Sequence, residues 1–287
     1  DFGIDGWRLD VAREIDDDAF WREFRRRVKA GNPEAYIVGE VWLNAAHWLK
    51  GDMWDASMNY IFARSCIAFF IGEEIDYGAL HKTLTPPGPP GAEAFAKAVA
   101  AMEAMYHPHV VAAQLNLLSS HDTARFVTVA RGDQSALRLA TLFQMTYTGP
   151  PSLYYGDEVG LAGGHDPLNR GAMPWDEATW DHDLLRGFRR MIALRKARPS
   201  LRRGSYSGVY ARDGVHVHLR RLDNDVVVVA LNTDRVTRRI DIPVISALDD
   251  GATLEEAWAN RSLRVEGGML RGVELAPRSG RVFQTPL

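Results

Sequence analysis

The sequence predicts an α/β region built on parallel strands, followed by an antiparallel β-sandwich. Short apolar, β-branched or aromatic runs alternate with helical stripes through the first 199 residues. Three of those runs deliver a carboxylate at or near their C-terminal ends, namely Asp10, Glu40 and Asp122. From about residue 200 the pattern becomes polar–apolar alternation broken by turn dipeptides such as Asp213-Gly214 and Asp223-Asn224. Domains at 1–199 and 200–287 are therefore expected.

Each element has a local reason. A strand at 3–9 leads to Asp16, Asp17 and Asp18, which read as a solvated helix start, because first-turn carboxylates favour the helix dipole. A metal cluster is the alternative for these three. Phe20, Trp21, Phe24 and Val28 then trace a helical stripe, stopped by Gly-Asn-Pro at 31–33. Strands at 36–42 and 54–60 follow, then a helix over 61–71 in which Cys66 reads as core packing. The run Pro-Pro-Gly-Pro-Pro-Gly at 86–91 must be a loop.

An Ala-rich helix at 92–105 precedes a strand at 113–118, a helix at about 134–147 and a strand at 152–155. Leu184, Leu185, Phe188, Met191 and Ile192 mark a last long helix that ends before Pro199. Sandwich strands are expected at 206–210, 215–222, 225–231, 236–242 and 282–284. No fixed-period repeat is present. The first region thus holds five strands, whereas a closed (β/α)8 barrel needs eight.

Composition narrows the function class. A net charge of −3 and an isoelectric point near 6.3 give no reason to expect nucleic acid or an anionic membrane as partner. No apolar run is long enough to span a bilayer. A single cysteine excludes an internal disulfide framework and suits a reducing, cytoplasmic setting. The chain opens on Asp rather than Met, so an upstream segment is expected and export cannot be judged.

The chemistry concentrates at three strand ends. Arg8 and Asp10 stand two residues apart, so on a strand they share a face. An arginine fork beside an aspartate favours the charged carboxylate, as a nucleophile or charge stabiliser requires. A surface ion pair is the competing reading. Glu40 sits in the apolar run Tyr-Ile-Val-Gly-Glu-Val-Trp at 36–42, where desolvation is expected to raise its pKa and keep it protonated as a general acid. A third run, Leu-Asn-Leu-Leu-Ser-Ser-His-Asp at 115–122, ends in His121 and Asp122. In a parallel barrel such ends converge on one face, where active sites lie.

These segments resemble the hallmark regions of the α-amylase family of retaining glycoside hydrolases, in the order nucleophile, acid/base, third aspartate. They are most similar to its neopullulanase, cyclomaltodextrinase and maltogenic amylase branch. Trp7 before Arg8, Val-Ala-x-Glu ending at Glu14, Gly-Glu-x-Trp at 39–42 and Leu-Leu-x-Ser-His-Asp-Thr at 117–123 carry the resemblance. Gly-Pro-Pro-Ser-Leu-Tyr-Tyr-Gly-Asp-Glu at 149–158 resembles the eighth-strand signature. Two departures stand out: Arg13 replaces the branch's usual Asn, and a Pro-rich stretch lengthens the interval between Glu40 and Asp122.

The resemblance implies strands four to eight of a (β/α)8 barrel with the C-terminal sandwich attached, the first three strands being absent. It implies hydrolysis of α-glucosidic bonds in maltooligosaccharides, cyclodextrins or pullulan, with possible transfer to acceptor sugars. Asp10 is the implied nucleophile, Glu40 the acid/base and Asp122 the holder of the sugar hydroxyls. Arg8 and His121 are implied to support them. Trp42 and Glu14 are expected on the acceptor side, and Asp166 with Arg170 as a clamp on the donor-end glucose. Core packing for Trp42, a surface position for Glu14 and a loop salt bridge for Asp166–Arg170 are the alternatives. Asp157 and Glu158 read as structural, while Arg125, His47, His107 and His109 stay unassigned.

No metal site or cofactor is expected in this segment, although calcium is common elsewhere in the family. The implied partners are an α-glucan oligosaccharide, the N-terminal half of the barrel and, for the parent enzyme, a second copy in a homodimer. With half the barrel absent, the segment alone is expected to be inactive. Two other readings stay open at this stage: an α-1,6- or sucrose-type glucosidase of the same family, and a non-catalytic module with this fold.

Overall fold

The computed structural model describes residues 3–286. Five strands, β1 (Gly6–Leu9), β2 (Tyr36–Gly39), β3 (Ala56–Asn59), β4 (Leu115–Leu117) and β5 (Pro151–Ser152), pair in sequence order, and every pairing is parallel. Helices Asp18–Gly31, Tyr60–Cys66, Ala92–Glu103, Gln134–Thr146 and His182–Ala197 are the longer connections and flanks. This is the parallel sheet the alternation predicts, and it fits the partial barrel the resemblance implies. Among the described residues β1 pairs only with β2, and β5 only with β4, so both sheet edges carry unpaired backbone groups.

The acidic start at Asp16, Asp17 and Asp18 behaves as expected: Asp17 caps the first helix by accepting from the Phe20 amide at 3.0 Å. Cys66 is fully buried in the core. The strands, however, are shorter than their apolar runs. Residues 40–42 leave the ladder after Gly39, and the last tie is the Glu40 amide donating to the Leu9 carbonyl at 3.0 Å. Burial alone accounts for their apolar character, since apolar runs report burial and not ladder pairing. Gly39 itself is required by close packing, because a Cβ there would lie 2.4 Å from the Trp54 ring.

The C-terminal region forms an eight-stranded antiparallel sheet that curls upon itself as a sandwich, in the order β6-β7-β8-β13-β10-β11-β12-β9. Its strands are β6 (Ser205–Arg212), β7 (Val215–Leu222), β8 (Asp225–Asn232), β9 (Arg238–Pro243), β10 (Thr253–Glu256), β11 (Ser262–Glu266), β12 (Met269–Leu275) and β13 (Ser279–Gln284). Five of these fall on predicted strands. β10, β11 and β12 do not: the first two are only four and five residues long, and Gly267, Gly268 and Gly272, with a bulge between Leu270 and Val273, interrupt the alternation of the third. No helix among the described residues is long and apolar enough to cross a membrane.

β7 is buried on both faces, and its alternation separates two environments. Val215, Val217 and Leu219 enter the sandwich core. His216, His218 and Arg220 point the other way, toward the barrel segment, and all three are buried. Arg220 donates to the Thr146 carbonyl at 2.7 Å and Arg195 to the Met145 carbonyl at 2.9 Å. These cations thereby satisfy the open carbonyls at the end of helix Gln134–Thr146. His218 Nε2 meets the Thr146 hydroxyl at 3.1 Å, and His216 Nε2 meets the Tyr206 hydroxyl at 2.9 Å.

Burial lowers the pKa of His216 to about 4, and burial together with His216 and Arg220 also lowers that of His218 well below the usual imidazole value. Both imidazoles are neutral in the folded chain, whereas the unfolded chain takes up protons as pH falls below 6.5. Stability is thus retained above pH 6.5 and lost on acidification toward 4, with His216 alone accounting for about 3 kcal/mol. Urea unfolding at a series of pH values should show this loss, and His216→Phe should shrink it; an acid-insensitive wild type contradicts the assignment.

Candidate active site

Three of the functional side chains, Arg8, Asp10 and Glu40, are set by strand register. Arg8 pairs with Val38 across β1 and β2, so Asp10 and Glu40 both emerge just beyond the carboxyl ends of adjacent strands. Past Asp10 the chain turns sharply: Val11 has φ 41°, a left-handed conformation that is strained for a β-branched residue. That turn aims the Val11 amide at Glu40, donating to its Oε2 at 2.9 Å. Trp42 closes the other side, its indole N–H donating to Glu40 Oε1 at 3.1 Å.

Arg8 joins the two acids. One terminal nitrogen of its guanidinium binds Asp10, and the other lies 3.0 Å from Glu40 Oε2. The two carboxylates differ sharply in setting, the side chain of Asp10 being 74% exposed and that of Glu40 only 6%. Glu40 corrects the expectation drawn from its apolar neighbours. Burial does push its pKa up, but the Val11 amide, the Trp42 indole, Arg8 and Asp122 together bring it below the ordinary carboxylate value. Desolvation loses here because four hydrogen-bonding or charged groups converge on one carboxyl.

Asp122 shifts the other way. Burial raises its pKa, the nearby Glu40 carboxyl raises it further, and His121 and Arg170 only partly oppose this. Asp122 therefore keeps its proton to higher pH than Glu40 does. Its position depends on a compact turn after β4, in which the Ser120 amide donates to Thr123 Oγ1 at 3.0 Å and the Asp122 amide to Ser120 Oγ at 3.2 Å. His121 Nε2 lies 3.0 Å from Asp122 Oδ2, and an Arg170 terminal nitrogen lies 3.4 Å from Oδ1. Asp166 holds Arg170 in turn, at 2.7 Å from its Nε.

A cavity of about 560 Å³ lies over these groups, and Asp10, Glu40, Trp42, His121, Asp122 and Arg170 all line it. Arg8 sits beneath them. Glu14 and Asp166 are not part of the wall: Glu14 is exposed and paired with Arg13, whereas Asp166 stands behind Arg170. Arg13, the residue that departs from the expected Asn, does line the cavity, as does His81.

Sequence reasoning missed the residues that hold the site together. Asn169 is fully buried and donates to the carbonyls of His121 at 2.7 Å and Thr123 at 3.0 Å, clamping the Asp122 turn. Arg125, unassigned from sequence, is also fully buried; it donates to Tyr155 O at 2.7 Å and to Asp157 Oδ1 at 3.1 Å. It ties the loop after β4 to the loop after β5, with Asp157 as its buried ion-pair partner. An apolar surrounding reachable only across distant loops leaves no local pattern for either residue. Of the other unassigned residues, His47 pairs with Asp18 at 2.7 Å, and His107 Nδ1 accepts from the His109 amide at 3.4 Å.

Residues 1–182 match the family described as alpha amylase, catalytic domain. The chain belongs to the α-amylase family. Residues 206–284 of this family member match the neopullulanase-like C-terminal domain. It is 45% identical over 235 residues to a cyclomaltodextrinase of a Bacillus species, covering 81% of this chain and 39% of that one. Neopullulanase 2 of Thermoactinomyces vulgaris is 42% identical over 285 residues, covering 98% of this chain and 45% of the relative. The crystal structure of Ttha1563 from Thermus thermophilus superposes with a TM-score of 0.93 at 43% identity, over 99% of this chain and 60% of that one. The chain thus spans less than half the length of these two curated relatives.

Replacing Arg8 by Met removes the guanidinium that Glu40 shares with Asp10. The Glu40 carboxyl should then titrate at higher pH than in the wild type, read by carbon-13 NMR of the labelled side chain. An unchanged or lower value contradicts the bridging role.

Proposed function

We propose that this α-amylase family chain supplies the catalytic half of an enzyme that hydrolyses α-glucosidic bonds with retention of configuration. Maltooligosaccharides, cyclodextrins and pullulan are its substrates, and an acceptor sugar can replace water in the second step. Asp10 attacks the anomeric carbon while Glu40 protonates the leaving oxygen; Glu40 then activates water or the acceptor. Asp122 and His121 hold hydroxyls of the distorted ring and tighten as charge develops, so they act on rate more than on binding. Arg170, steadied by Asp166, clamps the donor-end glucose, and Trp42 and Glu14 belong to the acceptor side. Two domains, 1–199 and 200–287, meet near residue 200.

The observation that carries this reading is the single guanidinium touching both Asp10 and Glu40. Two carboxyls bridged by one fork are held close to each other, which suits the roughly 5–5.5 Å separation of a retaining pair. The lowered pKa of Glu40 in the free site bears on the mechanism. Sugar hydroxyls that engage Asp122 favour its charged form, and a cavity filled by substrate excludes water, so both favour the protonated form of Glu40 and the acid takes up its proton as substrate binds.

The unpaired edges of β1 and β5 support the further proposal that catalysis needs the N-terminal half of the barrel, in the same chain or bound to it. Exposed apolar side chains gather at those edges: Ile4, Trp7 and Val11 beside β1, and Leu153, Tyr155 and the 81% exposed Trp175 beside β5. A complementary set of strands and helices would cover them.

The 287-residue chain alone should turn over neither maltotriose nor β-cyclodextrin, and adding the N-terminal half should restore both activities. In the restored enzyme Asp10→Asn should lower kcat by about three orders of magnitude or more. Full turnover by the chain alone sinks the completion proposal, and an active Asp10→Asn enzyme sinks the nucleophile.

A further inference from the structure

His81 lines the same cavity as the three acids, yet no part of the sequence marks it. It stands at the start of a short turn, Lys82–Leu84, after a loop that no strand pattern predicts. Its Nδ1 accepts the Thr83 amide at 3.3 Å. An imidazole nitrogen that accepts carries no proton, so the neutral ring keeps its proton on Nε2. Among the described residues no protein group accepts from that Nε2.

The ring is also fixed in orientation. It lies 4.6 Å from the indole of Trp42, which stacks at 4.1 Å and 7° on Tyr60. The Trp42 indole in turn donates to Glu40. His81 therefore presents a directed N–H in the cavity on the acid/base side, held by a backbone amide beneath and an aromatic stack beside it.

We propose that His81 is a further substrate-binding residue, whose Nε2–H donates to a sugar hydroxyl on the Trp42 side of the scissile bond. This rests on the glycosidase reading above. The site keeps the imidazole neutral, as the cap requires. Burial lowers its pKa, Lys82 and His165 lower it further, and Asp122 alone opposes them. Around the ring, Lys82 lies on its own turn, His165 on the loop after β5, Asp122 on the turn after β4, and Trp42 with Glu40 after β2. A neutral donor suits an uncharged hydroxyl, and Trp42, which lines the same cavity with its ring tilted 53° to the imidazole, adds apolar contact for the same sugar.

Two near-isosteric substitutions separate binding from capping. His81→Asn keeps an acceptor at the Nδ1 position and loses the Nε2 donor; His81→Gln keeps a donor at the Nε2 position and loses the cap. In the enzyme restored with the N-terminal half, His81→Asn should raise KM for maltotriose about tenfold with kcat changed less than threefold. His81→Gln should stay within about threefold of wild type in KM. The reverse order, or no change in KM for either variant, overturns the proposal and leaves a capping role only. Nitrogen-15 NMR of the 287-residue chain adds a measurement independent of activity, with the Nε2–H tautomer expected at neutral pH. A protonated ring or the Nδ1–H tautomer overturns the proposal. An inactive restored wild type that shows the expected tautomer instead counts against the glycosidase reading.

Discussion

The site depends on one guanidinium. Arg8 lies between an exposed acid and a buried one, touching both Asp10 and Glu40. Without it, two carboxylates at the ends of adjacent parallel strands would repel each other, and the buried one would lose a charged partner. Removing one member of such a group leaves an uncompensated charge, and that is costly where solvent is scarce. The cation also fixes geometry, because a planar fork presents its two donors at a set spacing. Strand register supplies the rest: the β1–β2 pairing that sets Arg8 opposite Val38 also delivers Glu40 to the far side of the fork.

Around this centre the structure spends polar residues where a core would ordinarily be apolar. Asn169 and Arg125 are fully buried, and both bind backbone carbonyls of the loops that present Asp122, Arg170 and the aromatic pair Tyr154–Tyr155. Loops at the carboxyl ends of a parallel sheet have no ladder to hold them, so side-chain donors take over that task. The same logic recurs at the sandwich interface. There Arg220 and Arg195 satisfy the end of helix Gln134–Thr146, and the buried His216 and His218 fill the facing side of β7. Rigidity at the reacting groups and docking of the C-terminal sheet thus use one device, a cation or amide aimed at helix-end and loop carbonyls.

Much of this was legible in the sequence, for identifiable reasons. Asp10, Glu40 and Asp122 stood at the ends of apolar runs, and strand direction alone brings such ends together. The i, i+2 spacing of Arg8 and Asp10 gave their shared face, and the alternation after residue 200 gave the strands with the strongest apolar period. Three things were not legible. The ionisation of Glu40 followed from hydrogen bonds supplied by Val11 and Asp122, neither of which is visible in its neighbourhood along the chain. β10 and β11 are too short to stand out, and the alternation of β12 is broken at its bulge between Leu270 and Val273. His81, Asn169 and Arg125 act across loops, where distance along the chain bears no relation to distance in space; Asp166 stands behind Arg170, and Glu14 is exposed beside Arg13.

The central claim is that Asp10, held on the Arg8 fork, forms the covalent bond to sugar. The most direct test is mass spectrometry of peptides from the enzyme restored with its N-terminal half, after reaction with a 5-fluoro-α-glucosyl fluoride that slows the second step. The account predicts a single added glycosyl mass on the peptide containing Asp10. A label on the peptide of Glu40 or Asp122, or inverted product with no adduct, would contradict it.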